Sequence, residues 1–371
     1  MKVVINTVVW GDKYIDTYLR YSIPSLMSDG NFLDPLVQEA ITLQIMSTES
    51  GFKRMGHDPI YSRLKNLLKV EELSIPDINM VGKEDTYKYD RVSDCQYSAI
   101  KLGVKNDADV MFFLYPDFIF SCGSLRKIFQ KMTVECYHAV FCPIPFISHD
   151  KVEDGLFRKS GFERLSADGF EISLPTRELV RLNIESPHPV NLGFDFLGDR
   201  YGEWPGCFVW NIEGEGQLIR SFHLHPIGIN LKSPNTKIVQ QFKNSLDDEY
   251  VSKVFSSDDN LYFVRDSDEF SICSLRYEAD PPHIYPGNRS DLRRTLLWAE
   301  EHTSSLLRYF LGKEFLWHYA DLRDPKWIEC RQQADTFFEK VMDCLTAPDS
   351  LIEYEDPALL LARKNRVKRG Y

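Results

Sequence analysis

Two short stretches of this sequence place carboxylate and imidazole groups where they can meet a charged ligand. The first is Tyr115-Pro116-Asp117, which follows the apolar run Val110–Leu114. The second is Phe222-His223-Leu224-His225-Pro226, in which His223 and His225 alternate and so share one face of a strand. A neutral imidazole is a suitable ligand for Mn²⁺, and an imidazolium binds phosphate directly. These residue types therefore predict a site for a phosphate-bearing ligand.

A third acidic stretch competes with Asp117 for this role. Asp266-Ser267-Asp268-Glu269 follows the apolar Leu261–Val264 and has the Asp-X-Asp spacing after a strand. It comes late for a domain that begins at residue 1. We interpret it as a secondary acidic site or a structural cap.

Alternating strands and helices must position the first of these stretches. The apolar periodicity predicts, in chain order, strand Lys2–Val9, helix Tyr14–Met27, strand Leu43–Met46, helix Pro59–Val70, strand Ile78–Val81, helix Tyr89–Lys105, strand Val110–Leu114, helix Leu125–Met132 and strand His138–Pro145. Such alternation is typical of an α/β fold with a mostly parallel sheet and helices on both faces. Ligands bind at the carboxyl ends of these strands, where Thr7–Asp12, Ser47–Ser50 and Tyr115–Asp117 are expected to lie along one edge.

The rest of the chain changes character after residue 145. Residues 146–235 are rich in Pro, Gly and aromatic residues, and Glu213–Gly216 reads as a turn between two strands of a hairpin. We predict one domain over residues 1–235, with a first half, 1–145, and a second half, 146–235. A mixed connecting region, 236–290, and a helical C-terminal region, 291–371, complete the predicted organisation.

Composition excludes several classes of protein. The 371 residues are 43% hydrophobic, which is enough for a well-buried core, and the net charge of −11 argues against a nucleic-acid partner. The eight cysteines form no CxxC pair and are typical of a reducing compartment. The sequence has no signal-peptide pattern and no apolar run long enough to span a bilayer. We therefore expect a cytoplasmic protein, with a peripheral location at the inner face of the membrane as a variant of that expectation.

The segment from Asp107 to Leu125 resembles the central part of GT-A type glycosyltransferases, whose fold is Rossmann-like. In that type a strand delivers an Asp-X-Asp to the sheet edge, where a divalent cation bridges the donor diphosphate and stabilises the leaving charge. Here Tyr115-Pro116-Asp117 stands in that place, so Tyr115 replaces the first aspartate. The resemblance also implies a late histidine near the metal or the diphosphate. The implied ligands of Mn²⁺ or Mg²⁺ are therefore Asp117, His223 and His225, and the missing aspartate leaves metal dependence open.

The same resemblance implies that residues 1–235 are the catalytic domain, with a nucleotide-sugar-binding half, 1–145, and an acceptor-side half, 146–235. It also implies a set of donor-binding residues at the strand ends. The base and ribose are expected near the end of the first strand, where Trp10 is suited to stack on a base. Arg91, on the helix before the key strand, is suited to face the diphosphate. The predicted donor-binding residues are Thr7, Val8, Trp10, Thr48, Arg91, Tyr115 and Pro116.

An inverting enzyme needs a general base, and a retaining one does not. Beside Asp117 as the catalytic residue at the donor, the candidate bases are Glu203, next to Trp204-Pro205-Gly206, and Glu213. Asp195, Asp199 and Glu215 are alternatives.

Three motifs in order make the chain similar to a group of bacterial proteins associated with surface-polysaccharide (capsule or O-antigen) gene clusters. They are Ile23–Leu26 with Gly30-Asn31, Pro116-Asp117 with Gly123–Leu125, and Phe222–Pro226. The resemblance covers roughly residues 1–270 and implies transfer of a sugar from a nucleotide-sugar donor to a glycan or lipid-linked acceptor. The basic tail Lys364–Arg369 is a candidate for contact with anionic lipid, and the C-terminal helices are candidates for a homodimer contact.

Two other functions stay open. A nucleotidyltransferase that makes a nucleotide sugar uses a similar sheet but wants a Gly-rich basic loop after the first strand, where this chain has Trp10-Gly11-Asp12-Lys13. A non-catalytic glycan-binding protein on a degenerate GT-A fold is the other alternative, because the first aspartate of the motif is absent.

Overall fold

The computed structural model describes residues 1–76, 85–152, 171–202, 204–233, 235–236, 245–278, 284–287 and 291–369. Its strands are β1 Val3–Val8, β2 Ile41–Ser47, β3 Lys69–Ser74, β4 Val110–Phe113, β5 Phe118–Phe120, β6 Ala139–Cys142, β7 Phe146–Ser148, β8 Arg200–Gly202, β9 Cys207–Ile212, β10 Gly216–Ser221, β11 His225–Asn230, β12 Leu261–Phe263, β13 Ile272–Arg276, β14 Ile284–Pro286 and β15 Phe315–His318.

The α-helices are interspersed with these strands along the chain. They are α1 Asp12–Thr17, α2 Ile23–Leu26, α3 Pro35–Ala40, α4 Glu49–Met55, α5 Pro59–Leu67, α6 Asp85–Lys105, α7 Ser124–Thr133, α8 Thr176–Glu185, α9 Val251–Val254, α10 Leu292–His302, α11 Ser305–Leu311, α12 Pro325–Thr346, α13 Asp349–Glu355 and α14 Pro357–Arg369. Single π-helical turns span Tyr18–Ser22 and Leu246–Tyr250, and a 3₁₀ turn spans Pro189–Gly193.

The main sheet has seven strands in the order β12-β6-β11-β4-β1-β2-β3. Strand β1 is buried along its length and pairs in parallel with β2 on one side and β4 on the other. Within the sheet only β11 runs antiparallel to its neighbours, β4 and β6. The chain moves outward from β1 through β2 to β3 and then returns to the other side of β1 at β4. That reversal creates a topological switch point between the carboxyl ends of β1 and β4, where open α/β sheets bind ligands.

Helices cover both faces of this sheet. A Cβ atom added at Gly103 of α6 would lie 2.9 Å from Cε of Met111, whereas one added at Gly228 would lie 3.3 Å from Cγ of Met132 in α7 and 2.8 Å from Cδ1 of Phe112. Met111 and Phe112 are consecutive on β4 and so point to opposite faces. Helices α6 and α7 therefore pack on opposite faces, which confirms the predicted α/β class with a mostly parallel sheet and helices on both faces.

A second core joins the late strands to the C-terminal helices. The hairpin β9–β10 turns at Gly214, whose φ is 76°, and β10 also pairs with β15. Trp210 of β9 packs in one buried cluster with Trp327 and Phe337 of α12. This core confirms the predicted hairpin and the helical C-terminal appendage. The domain boundaries at residues 235 and 290 stay a prediction.

The predicted end of one helix differs from the structure. The helix expected over Pro59–Val70 ends at Leu67, and the strand that follows, β3, begins at Lys69. Strand β3 lies at the sheet edge and carries charged side chains, as protected edges do, so its apolar periodicity is weak. The predicted strand Ile78–Val81 lies outside the described residues.

The basic C-terminal tail belongs to α14, and two of its arginines turn inward. Arg363 contacts the fully buried Glu300 at 2.7 Å and Arg366 contacts it at 3.3 Å, while Arg308 contacts it at 2.8 Å. These pairs attach α14 to α10 and α11. Among the described residues no helix combines the length and the apolar character needed to cross a lipid bilayer.

Candidate active site at the carboxyl edge of the sheet

Strand direction explains how a late histidine reaches the edge that carries Asp117. Because β11 runs antiparallel to β4, its first residue, His225, lies at the end of the sheet where β4 finishes. The His225 ring lies 4.8 Å from the Tyr115 ring and 5.6 Å from the Phe118 ring, measured between centroids. Residues distant in sequence thus meet beside the β1–β4 switch point.

His225 is a neutral imidazole at physiological pH. Burial lowers the pKa of His225 to about 4, against the field of the Asp247 carboxylate and a contact with the backbone carbonyl of Phe113. That carbonyl oxygen lies 3.3 Å from Nε2 and only accepts hydrogen bonds, so Nε2 carries the proton. Nδ1 is therefore an unprotonated lone pair, as a metal ligand or a hydrogen-bond acceptor requires.

Asp117 lies half-buried between a hydroxyl and several cations. Its Oδ2 accepts a hydrogen bond from Oγ of Ser274 at 2.8 Å, and its carbonyl accepts one from the Leu275 amide at 2.8 Å. Burial raises the pKa of Asp117, while the Ser274 hydrogen bond and the charges of Arg276 and Lys88 act to lower it. The carboxylate is thus held in place by strand β13 and accompanied by positive charge.

Tyr115, which replaces the first aspartate of the motif, is an uncharged packing residue. Its hydroxyl accepts a hydrogen bond from Nε2 of Gln96 at 3.1 Å, and its ring packs edge-on against Phe118 at 5.1 Å. Burial raises the pKa of Tyr115 well above its ordinary value. A neutral phenol does not supply the negative charge of an aspartate, so any metal here would need its charge balanced by other groups.

Trp10 and Arg91, predicted separately as donor-binding residues, are in contact. The guanidinium carbon of Arg91 lies 5.2 Å above the centre of the Trp10 ring, within cation–π range. One nitrogen of Arg91, Nη2, donates to the carbonyl of Pro76. The other, Nη1, is buried and has no hydrogen-bond partner among the described residues. A cation on an aromatic platform at the end of β1 is suited to a base or a phosphate.

The positions of the other predicted donor-binding residues do not indicate contact with a ligand. Thr7 and Val8 are buried at the end of β1, and Pro116 is buried after β4. Thr48 caps α4, its Oγ1 accepting a hydrogen bond from the Gly51 amide at 3.0 Å. Thr48 thus has a structural use, and its contact with a nucleoside stays a prediction.

His223 does not share the surroundings of His225. It precedes β11, and its ring lies 5.6 Å from the ring of Trp298 on α10. The prediction that the two histidines share a strand face is therefore wrong, because β11 begins only at His225. A metal-ligand role for His223 stays a prediction.

The candidate bases are spread over different surroundings. Glu213 is exposed at the β9–β10 turn, where its carbonyl lies 3.5 Å from Nζ of Lys326. Glu215 is buried and accepts a hydrogen bond from Nε1 of Trp327 at 2.8 Å, so it serves the second core. Glu203 lies outside the described residues. Of the two alternatives earlier in the chain, Asp195 accepts a hydrogen bond from the Leu197 amide at 3.3 Å, and the side chain of Asp199 is exposed.

Sequence reasoning missed one acidic residue of this edge. Asp247, in the π-helical turn Leu246–Tyr250, acts electrostatically on both Tyr115 and His225. No sequence motif marks this segment as part of the site. It lies at this edge because the π-helical turn packs against β11.

The later Asp-X-Asp builds a separate group. Asp266, Asp268 and His318 are the one set of three potential metal ligands in the described part of the chain, with one ligand atom from each lying within 4.8 Å of the others. Nε2 of His318 lies 2.9 Å from Oδ1 of Asp266, and Nδ1 lies 2.7 Å from the carbonyl of Ala320. Arg177 holds both oxygens of Asp268, at 2.8 and 2.6 Å. This group could bind a divalent cation, but an arginine already neutralises one of its carboxylates.

No model of a protein family matches the sequence, and no curated protein matches it. Among solved structures, S. aureus TarS 1-349 in complex with UDP-GlcNAc is similar at 10% sequence identity with a TM-score of 0.41, covering 100% of this chain and 92% of that chain. The same protein in complex with UDP is similar at 10% identity with a TM-score of 0.37, covering 99% of this chain and 88% of that chain. Identities this low do not identify any residue of the site, so its function has to be inferred from the side chains described above.

Proposed function

We propose that this chain is a glycosyltransferase that takes a sugar from a nucleotide-sugar donor bound at the β1–β4 switch point. One observation carries the proposal. A cation on an aromatic ring (Arg91 on Trp10) and a carboxylate beside cations (Asp117) lie at the edge where a seven-stranded GT-A-like sheet binds ligands, and the neutral His225 lies there too. A nucleotide sugar has an aromatic base and a diphosphate. The base matches the Trp10 ring with Arg91, and the diphosphate matches the cations near Asp117.

Positive charge supports the assignment of the diphosphate. Lys88 and Arg276 act on the Asp117 carboxylate, and Nη1 of Arg91 has no described partner. Transfer leaves a nucleoside diphosphate, whose developing negative charge must be stabilised in the transition state. These three cations would stabilise that charge directly.

A divalent cation is implied by GT-A enzymes, and two residues at this edge fit one. Asp117 offers a carboxylate, and the unprotonated Nδ1 of His225 offers a nitrogen, a pair that suits Mn²⁺ better than Mg²⁺. When bound, the metal would act as a Lewis acid on the donor phosphates. His223 stays a proposed third ligand.

The acceptor and its activation are the finer part of the proposal. We keep Glu203 and then Glu213 as candidate general bases of an inverting reaction, with a glycan or lipid-linked glycan of a surface polysaccharide as the acceptor. Peripheral membrane contact would fall to the outward residues of α14, since Arg363 and Arg366 are engaged with Glu300. A homodimer contact through the C-terminal helices belongs to the same proposal.

A second function deserves a direct test because of Tyr115. A buried, neutral phenol in place of the first aspartate favours a non-catalytic glycan-binding protein over an enzyme that depends on two carboxylates. Such a protein would retain the fold and lose the donor.

Donor binding separates these functions. Thermal-shift and calorimetric titrations of the full chain with UDP, GDP, CMP and CDP sugars, with and without Mn²⁺, should show saturable binding of one nucleotide class. UDP-GlcNAc and UDP, the ligands of the TarS structures, are the first compounds to use. Arg91→Gln should weaken binding about tenfold, the equivalent of about 1.4 kcal/mol. Lys101→Gln, on the exposed side of the same helix, is the matched control. Absence of binding by every nucleotide would contradict the proposal and favour the glycan-binding alternative.

A further inference from the structure

Four aromatic rings, those of Trp204, His302, Trp298 and His223, form a cluster at the surface beside the proposed donor site. We name it the Trp204 cluster. Trp204 lies 5.8 Å from His302, His302 stacks 5.5 Å from Trp298, and Trp298 lies 5.6 Å from His223, all measured between ring centroids. Trp204 is 58% exposed, whereas the other three rings are half-buried. The cluster therefore exposes the Trp204 ring to solvent, and the three half-buried rings pack behind it.

Gly206 lies close to two rings of the cluster because it has no side chain. A Cβ atom at Gly206 would lie 3.2 Å from Cδ2 of His223 and 3.2 Å from Cη2 of Trp298. Any side chain there would push these rings apart, because few Cβ contacts are so short. The backbone of the loop before β9 thus lies directly against two rings of the cluster.

Two buried polar atoms of this region lack hydrogen-bond partners among the described residues. They are Oδ1 of Asp248 and Nε1 of Trp298. Burial raises the pKa of Asp248, while the charges of His223 and His302 act to lower it. A buried polar atom without a hydrogen-bond partner lowers the stability of the folded chain. A ligand that offers a donor to the carboxylate and an acceptor to the indole N–H would remove that cost.

The cluster lies beside the proposed donor site. His223 is two residues before His225, and Asp248 follows Asp247, which acts on His225 and Tyr115. The same two segments therefore contribute residues to both sites. A ligand on the cluster would lie next to the sugar end of a donor held by Asp117 and His225.

We propose that the Trp204 cluster is a carbohydrate-binding subsite, which accepts the pyranose ring of the acceptor. The apolar face of a pyranose would stack on Trp204, and hydroxyls of the sugar would donate to Asp248 and accept from Trp298. Hydroxyl groups are both donors and acceptors, so a sugar can satisfy a carboxylate oxygen and an indole N–H. Its role as an acceptor subsite rests on the proposed function, whereas its binding of a sugar does not.

Saturation-transfer NMR of the full chain with methyl glycosides of glucose, galactose and N-acetylglucosamine tests the proposal. The wild-type chain should bind at least one glycoside, and Trp204→Ala should weaken that binding about tenfold or more. Tyr309→Ala removes another exposed aromatic ring, from α11, and should leave the affinity unchanged. Asp248→Asn should weaken glycoside binding as well. Trp204→Ala is the variant less prone to disturb folding, because the Trp204 side chain lies on the surface.

Nucleotide-sugar affinity measured on the same samples separates the two proposals. Glycoside binding that depends on Trp204, in a chain that binds no nucleotide, would leave the subsite standing and contradict the glycosyltransferase assignment. A wild-type chain that binds none of the glycosides, or a Trp204→Ala chain with unchanged affinity, would overturn the subsite whatever the nucleotide result.

Discussion

Two acidic motifs of this chain follow apolar strands, and the more complete one is the worse candidate for the donor site. Asp266-Ser267-Asp268 has both carboxylates and gains His318, yet Arg177 holds both oxygens of Asp268. Tyr115-Pro116-Asp117 has one carboxylate, which keeps one oxygen outside its hydrogen bond to Ser274 and lies among cations. The number of carboxylates in a motif is therefore a poor guide to its chemistry.

Placement in the sheet separates the two motifs. Asp117 follows β4, which adjoins β1 at the switch point, whereas Asp266 follows β12 at the far edge of the same sheet. Between them lie β11 and β6. In open α/β sheets the ligand crevice lies where the strand order reverses, so the first motif is better placed than the second to contact a ligand. The second motif is instead absorbed by ion pairs and by the Asp268 amide, which donates to Oδ1 of Asp266 at 2.8 Å.

The largest expected effect comes from exchanging one carboxylate for an amide in each motif. Asp117→Asn should lower donor hydrolysis and transfer by about 100–1000-fold, since a preorganised charge at a leaving group is worth that much. Asp268→Asn should change either rate by less than twofold. The measurement is nucleotide release from the donor identified by the binding screen.

Stability provides the control for this pair. Because burial raises the pKa of Asp117, the neutral amide suits its surroundings, and thermal unfolding of Asp117→Asn should match the wild type. If both variants keep full activity, Asp117 is only a turn residue after a core strand. If Asp268→Asn alone is inactive, the order of the two motifs is reversed.

A smaller effect concerns pH and distinguishes the buried histidine of the first site. With a pKa of about 4 in the folded chain, His225 is neutral where the unfolded chain takes up a proton near its ordinary value of about 6.5. Its contribution to stability is thus fully present above pH 6.5 and is lost as the pH falls towards 4. We expect a loss of no more than about 3 kcal/mol over this range.

Chemical denaturation at several pH values, compared with His225→Asn, isolates this contribution. The variant should show a shallower decline between pH 6.5 and 4, because its amide does not titrate. Equal slopes for the two chains would mean that His225 takes up its proton at the same pH in the folded and unfolded chains, which would contradict the lowered pKa of His225.

Much of the candidate site at the carboxyl edge of the sheet was predictable because it depends on local patterns. Buried apolar strands and amphipathic helices gave β1, β4 and α6, and strand-end logic then brought Trp10, Arg91 and Asp117 to one edge. Strand β3, at the edge of the sheet, was not predicted because its charged residues interrupt the apolar pattern.

Contacts between distant segments were not predictable in this way. Ser274 reaches Asp117 from β13, and Asp247 reaches His225 from a π-helical turn. Neither follows from spacing, since each depends on how separate sheets and turns pack. The histidine pair failed for a related reason: β11 starts at His225, so His223 falls in the preceding loop and packs on Trp298.

The smallest expected effect tests whether Arg177 is what fills the second motif. Its pair with Asp268 is half-exposed, and exposed pairs contribute about 0–1 kcal/mol, so Arg177→Ala should scarcely change unfolding in the absence of metal. Added Mn²⁺ should then stabilise Arg177→Ala more than the wild type, because Asp266, Asp268 and His318 become free to bind it. Arg181→Ala, which removes an ion pair with Glu178 on the same helix, is the matched control and should gain nothing. Equal stabilisation of the wild type and Arg177→Ala by Mn²⁺, abolished by Asp268→Asn, would show that the second motif binds metal in the native chain despite its arginine.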